Sequence, residues 1–97
     1  MDFGQVIEAL KNGKCVRRES WGGGPLFVCK QNVADISPTA IKDLKSLPED
    51  AKRILQSMNS EGISYRHQCL AVYVNGVATN WSPSNKDIFA EDWVIVK

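Results

Sequence analysis

Leu70-Ala71-Val72-Tyr73-Val74-Asn75-Gly76-Val77-Ala78-Thr79-Asn80-Trp81 is the stretch whose reading decides how this chain folds. Leu70, Val72 and Val74 alternate with other residues, the period of a strand that turns one face to a core. Asn75-Gly76 stands between two apolar runs, the strongest short-range signal for a hairpin. The alternation reaches upstream through His67 and Tyr65 to Ser64, and the returning strand takes residues 77–81. An antiparallel hairpin is therefore expected at the centre of the fold.

Upstream, Cys15-Val16-Arg17-Arg18-Glu19 alternates as a strand and runs into Ser20-Trp21-Gly22-Gly23-Gly24-Pro25. Three consecutive glycines lose too much backbone freedom to sit in a regular element, so they form a loop before a strand at 26–30. At the start of the chain, Phe3, Val6, Ile7 and Leu10 recur at helical spacing. Asp2 is placed to cap that helix, and Gly13 to end it after residue 12. In the middle, Ser37-Pro38 opens one helix with Ile41, Leu44 and Leu47 on its apolar face. Pro48 restarts a second, carrying Ala51, Ile54, Leu55 and Met58, which Asn59-Ser60-Glu61-Gly62 ends.

Downstream, Ser84 stands three residues before Asp87, the spacing of a capping box, and starts a short helix through Ala90. Trp93-Val94-Ile95-Val96 is a terminal β-branched strand. The fold class is α+β: a small, mostly antiparallel sheet with an N-terminal helix and two central helices on one face. Residues 1–97 read as one domain.

Composition narrows the function. The chain has 97 residues, 43% hydrophobic and 24% charged, with a net charge of +1. Such a charge supplies no field for a nucleic acid polymer. No apolar run approaches the roughly 20 residues of a membrane span. The opening MDFGQVIEALK lacks the layout of a signal peptide, so a cytoplasmic location is expected. A chain this short buries only about 60–65% of its unfolded surface, which favours further burial between subunits. Cys15, Cys29 and Cys69 form no CxxC pair, and they read as small core residues with no metal to hold.

No phosphate loop, HExxH or GxSxG occurs, and the carboxylates Glu49-Asp50 and Glu91-Asp92 are adjacent, so they point different ways. No catalytic residue or cofactor is expected. What remains are parts suited to a nucleotide. Arg18 offers a fork for phosphate oxygens, or equally a salt bridge. Gly22 and Gly23 expose backbone, as a ligand loop or as a mere flexible tip. Trp21 and Trp81 read as stacking platforms or as lids on the core, whereas Trp93 reads as core and His67 as a polar strand residue. Ser84 and Asp87 begin a helix whose N-terminus suits a phosphate, and Asp92 is a turn residue or a hydroxyl acceptor.

Val16-Arg17-Arg18…Trp21-Gly22-Gly23-Gly24 and Trp81-Ser82-Pro83-Ser84…Asp87-Ile88…Ala90…Asp92-Trp93-Val94-Ile95-Val96 together resemble the phage Thoeris anti-defence two family. Phe3-Gly4…Leu10…Gly13 and Ser46-Leu47-Pro48 extend the likeness. Members bind glycocyclic ADP-ribose signals made by TIR-domain proteins and sequester them without cleavage, which keeps the effector inactive. They assemble as homotetramers with pockets between subunits, and some also bind cyclic dinucleotides. The resemblance implies a small-molecule cyclic nucleotide ligand held by Arg18, Trp21, Gly22, Gly23, Trp81, Ser84, Asp87 and Asp92. Pro25 and Asn80 depart from the family pattern in loops that would form the pocket. Rival readings are a sponge for cyclic di- or trinucleotides, a direct protein-binding inhibitor of a defence enzyme, and an enzyme that cleaves the same signal.

Overall fold

The computed structural model describes residues 1–58 and 61–97. In chain order the elements are α1 (Phe3–Lys11), β1 (Cys15–Arg18), a 3₁₀ turn (Glu19–Trp21), β2 (Phe27–Lys30), β3 (Ala34–Ile36), α2 (Pro38–Ile41), α3 (Glu49–Ser57), β4 (Ile63–Tyr65), β5 (Cys69–Val72), β6 (Ala78–Asn80), α4 (Asn85–Phe89) and β7 (Trp93–Val96). They fall into two compact units, one of Met1–Gln31 with His67–Lys97 and one of Asn32–Arg66. The expected α+β class with antiparallel pairing holds.

In the first unit, five strands lie in the order β6-β5-β2-β1-β7, each pair antiparallel. Val16 faces Val28 and Val28 faces Ala71, while Arg18 faces Trp93. Paired residues share a face, so one side of the sheet presents Val16, Val28, Ala71 and Trp93. Against that side α1 buries Val6, Ala9 and Leu10 to make the core. The anticipated stripe is thus rotated slightly: Ala9 is inside, and Ile7 remains 40% exposed.

The capping residue of α1 is Asp2, as its position suggested. Its side chain accepts from the Gln5 amide, and the Gln5 side chain accepts from the Asp2 amide, each at 2.9 Å. On the opposite sheet face lie Arg17, Phe27, Cys29, Leu70, Val72 and Val94, all half-buried.

The second unit holds what the sequence reading missed. Ala34, Asp35 and Ile36 pair with Tyr65, Ser64 and Ile63 in a two-stranded ladder. The expected continuous strand from Ser64 to Val74 is therefore broken. His67 takes a φ of 59°, a left-handed conformation through which extended alternation cannot pass. Residues before it belong to β4 and residues after it to β5. The hairpin at Asn75-Gly76 forms as expected, with Gly76 N–H bonded to the Tyr73 carbonyl at 2.9 Å.

Ser37 caps α2, its hydroxyl accepting from the Ala40 amide, and Pro38 follows at the first helical position. This helix stops at Ile41, which is buried, short of Leu44 and Leu47. Pro48 precedes α3, whose Lys52 is buried, its ammonium donating to the Lys42 carbonyl at 3.1 Å and pairing with Glu49 at 3.2 Å. Of the anticipated α3 stripe, Ile54 and Met58 are exposed. Asn59 and Ser60 of the expected helix stop lie outside the described residues.

Candidate ligand site

Three indoles meet on the helix-covered side of the sheet. Trp21 ends the 3₁₀ turn, Trp81 follows β6, and Trp93 opens β7. Ring centres lie 5.2 Å apart for Trp21–Trp93, 6.0 Å for Trp81–Trp93 and 6.4 Å for Trp21–Trp81, all edge to face. Such geometry sets the positive edge of one ring against the negative face of the next. Trp93 is buried, as its apolar strand suggested, and its Nε1 donates to the Asp87 carbonyl at 2.9 Å. Trp21 and Trp81 are half-buried around it, so each combines a packing role with accessible ring surface.

Beside the indoles, Arg18 is held by two carboxylates. Its Nε donates to Asp92 Oδ1 at 2.9 Å and its Nη1 to Asp87 Oδ1 at 3.0 Å. The Ser20 amide donates to Asp92 Oδ2 at 3.1 Å, and the Glu19 amide to the Asp92 carbonyl at 3.0 Å. Hydrogen bonds from Arg18 and then from Ser20 draw the Asp92 carboxyl down to about 2. Burial works to raise the Asp87 pKa, but bonds from the Ser84 amide, Arg18 and the Ser84 hydroxyl win and lower it. Bonds to Asp92 and then Asp87 raise Arg18 above its usual value. Of the two readings open for the fork, this is the salt bridge. One cation between two carboxylates leaves the cluster with a local excess of negative charge.

The helix start at α4 is likewise engaged. Ser84 Oγ accepts from the Asp87 amide at 3.2 Å, and Asp87 Oδ2 accepts from the Ser84 amide at 2.9 Å. The capping box read from the sequence is present, and its side chains satisfy donors that the same reading left open for phosphate. Gly22 and Gly23 are both exposed at the loop tip. Gly22 has φ 44° and ψ −106°, a conformation that a Cβ would oppose. Gly24 N–H closes the turn onto the Trp21 carbonyl at 2.6 Å.

Trp81 also lines an open groove of about 300 Å³. Phe3, Ile7 and Leu10 from α1, with Cys69 and Pro83, supply its other apolar walls. Lys11, Lys30 and His67 complete the lining, which is almost wholly apolar, so they meet the groove through their carbon atoms. Arg18, Trp21, Gly22, Gly23, Ser84, Asp87 and Asp92 form the neighbouring cluster and loop and do not line this groove.

Lys30 was expected only as the end of a strand and His67 only as a polar strand residue, neither of them beside this groove. The available signal was strand parity: Lys30 pairs with Cys69, two places from buried Ala71, hence on the α1 face. Burial pushes the Cys29 thiol up, neighbouring Cys15 and Cys69 adding to the effect, and burial also raises Cys69. Among the described residues no group of three or more His, Cys, Asp or Glu could hold a metal ion.

A helix-backed antiparallel sheet that sets indoles beside an apolar groove defines a class of small α+β domain with one aromatic face. The chain belongs to the Tad2-like family, that of the Thoeris anti-defense 2-like domain, whose model matches residues 1–96. It is thus a Thoeris anti-defence protein. No curated protein matches it. No helix among the described residues is long and apolar enough to cross a membrane.

Proposed function

We propose that this protein counters Thoeris defence by sequestering a glycocyclic ADP-ribose signal, unchanged, in the bacterial cytoplasm. One observation carries the reading: Trp81 belongs at once to the indole cluster and to the groove wall. A ring stacked on an accessible indole gains roughly 1–3 kcal/mol. Retention without turnover needs such contacts and no acid–base pair or cofactor. Trp21, Trp81, Gly22 and Gly23 supply the ligand surface. Arg18, Ser84, Asp87 and Asp92 hold the wall behind them and offer the remaining polar contacts.

A homotetramer fits the chemistry of the second sheet face. Phe27, Leu70, Val72 and Val94 are half-buried there, and the Nε of Arg17 is buried without a partner among the described residues. A buried cationic donor costs free energy until an acceptor reaches it, and a second copy would bring one. Pockets shared between subunits are what the family likeness implies.

Calorimetry against glycocyclic ADP-ribose isomers and cyclic di- and trinucleotides tests the proposal, together with recovery of the ligand after heat denaturation. Intact recovery of an ADP-ribose cycle is expected. Recovery of fragments would make the protein an enzyme. Failure to bind any ADP-ribose cycle would end the reading, and a pull-down of a defence protein without small molecule would replace it.

A further inference from the structure

The ladder of β2 with β5 and the ladder of β3 with β4 share one register. Lys30 faces Cys69 at the end of the first, and Ala34 faces Tyr65 at the start of the second. From Lys30 to Ala34 is four steps along one strand, and from Tyr65 to Cys69 is four along the other. A bulge would add a residue to one side alone, and here both sides keep step. The two ladders are therefore one two-stranded ribbon with an interruption.

The interruption is short. Gln31 N–H still donates to the Gln68 carbonyl at 2.8 Å. Hydrogen-bonded and open pairs alternate along an antiparallel ladder, so Asn32 and His67 fall at an open pair, and Val33 and Arg66 at the next bonded one. That rung is missing: no backbone hydrogen bond joins Val33 to Arg66 among the described residues. His67 supplies the reason. It is the only non-glycine among the described residues with a positive φ, at 59°, which turns its strand out of the extended path one residue from the rung.

Asn32, Val33, Arg66 and His67 are all exposed. The chain passes between the two compact units only here, from Gln31 to Asn32 and from Arg66 to His67. Exposed backbone with no bond across it marks the low-stability end of a structure. The ladders on either side are complete, β2–β5 in the first unit and β3–β4 in the second.

We infer that Asn32, Val33, Arg66 and His67 form a joint in this ribbon, on which the second unit turns as a body while both ladders stay paired. His67 is the pivot, because its left-handed backbone keeps the Val33–Arg66 rung open. Turning breaks no bond, since that rung is already unmade. A ligand or a second copy can then set the orientation of the second unit without unfolding either ladder.

The test uses the full chain, isotopically labelled and free of ligand, in a weakly aligning medium. Residual dipolar couplings from the first unit and from β3, β4 and α3 should require two different alignment tensors. One tensor that fits both units overturns the joint. His67→Gly keeps the left-handed backbone accessible and should leave two tensors. His67→Val opposes that backbone, extends the strand and should close the rung. Its Val33 and Arg66 amides should then exchange about tenfold more slowly, the upper end of what one backbone hydrogen bond contributes. The two tensors should converge in the same variant. Two tensors in His67→Val, with both amides exchanging as fast as in the wild type, reject His67 as the pivot. If His67→Val does not fold, the wild type and His67→Gly decide: two tensors in each support the joint, and one tensor in either rejects it.

Discussion

Arg18 Nε lies 2.9 Å from Asp92 Oδ1, joining residues 74 positions apart. The bond fastens the end of β1 to the residue that precedes β7, and Asp92 returns it by accepting the Ser20 amide at the start of the 3₁₀ turn that carries Trp21. Loss of the guanidinium strands two carboxylates beside each other, whereas loss of one carboxylate leaves Arg18 the other. Arg18→Ala should therefore lower the urea midpoint more than Asp92→Asn does. Arg18→Lys should recover little, because a single ammonium cannot span both acceptors as a planar fork does. Equal midpoints for Arg18→Ala and the wild type would show that the network contributes nothing to folding.

The same contact sets an acid limit. Asp92 is held near 2 in the folded protein, against about 3.9 for an unperturbed aspartate. A carboxylate depressed by folding stabilises the native state above its unfolded pKa, and that contribution disappears as pH falls through the folded pKa. Asp87 is lowered as well and acts in the same direction. Stability should be flat with respect to these groups above about pH 5 and fall between about pH 4 and pH 2. Thermal midpoints across that range should show the slope in wild-type protein and a shallower one in Asp92→Asn.

These two aspartates show where sequence reading succeeds and where it stops. The Ser84–Asp87 capping box was legible because its geometry is local and depends only on spacing. So were α1, the Asn75-Gly76 hairpin and β7, whose signals lie within a few residues. The ion pair from Arg18 to Asp92 depends on β1 pairing with β7, and register between distant strands is not written in either strand alone. The β3–β4 ladder was missed for a similar reason. Three-residue strands show little alternation, and the break at His67 leaves only a one-residue slip in phase, from Tyr65 and His67 to Leu70, Val72 and Val74. Lys30 and His67 looked like polar strand positions until pairing and a left-handed backbone placed them at the groove.

Gly62 marks the point at which that small ladder tolerates no side chain. Its φ is 133°, and a Cβ built there would run into the carbonyl oxygen of Ile36. Ile36 opposes Ile63 in the ladder, so the oxygen belongs to backbone that cannot withdraw easily. Gly62→Ala should cost about 1–3 kcal/mol from the backbone conformation, with the clash in addition. Amide hydrogen exchange should show the loss concentrated in β3 and β4. Unchanged protection there would mean that the turn relaxes freely.

Trp93 and Trp21 touch one another, yet their replacement should separate stability from retention. Trp93 is 1% exposed and bonded to the Asp87 carbonyl, so Trp93→Ala leaves a large cavity and leaves that carbonyl only the longer bond from the Ala90 amide, at 3.4 Å. Aromatic-to-alanine changes in a core cost about 3–5 kcal/mol, a large share of the stability of a domain this size. Trp21 is half-buried beside an exposed glycine loop, and solvent can occupy much of the space its ring vacates. Trp21→Ala should leave the far-ultraviolet spectrum and assembly state intact while ligand retention falls below detection. Size-exclusion chromatography and calorimetry on both variants distinguish the outcomes. If Trp21→Ala unfolds the protein as Trp93→Ala does, the indoles act together as core, and Trp21 has no separate part in holding a ligand.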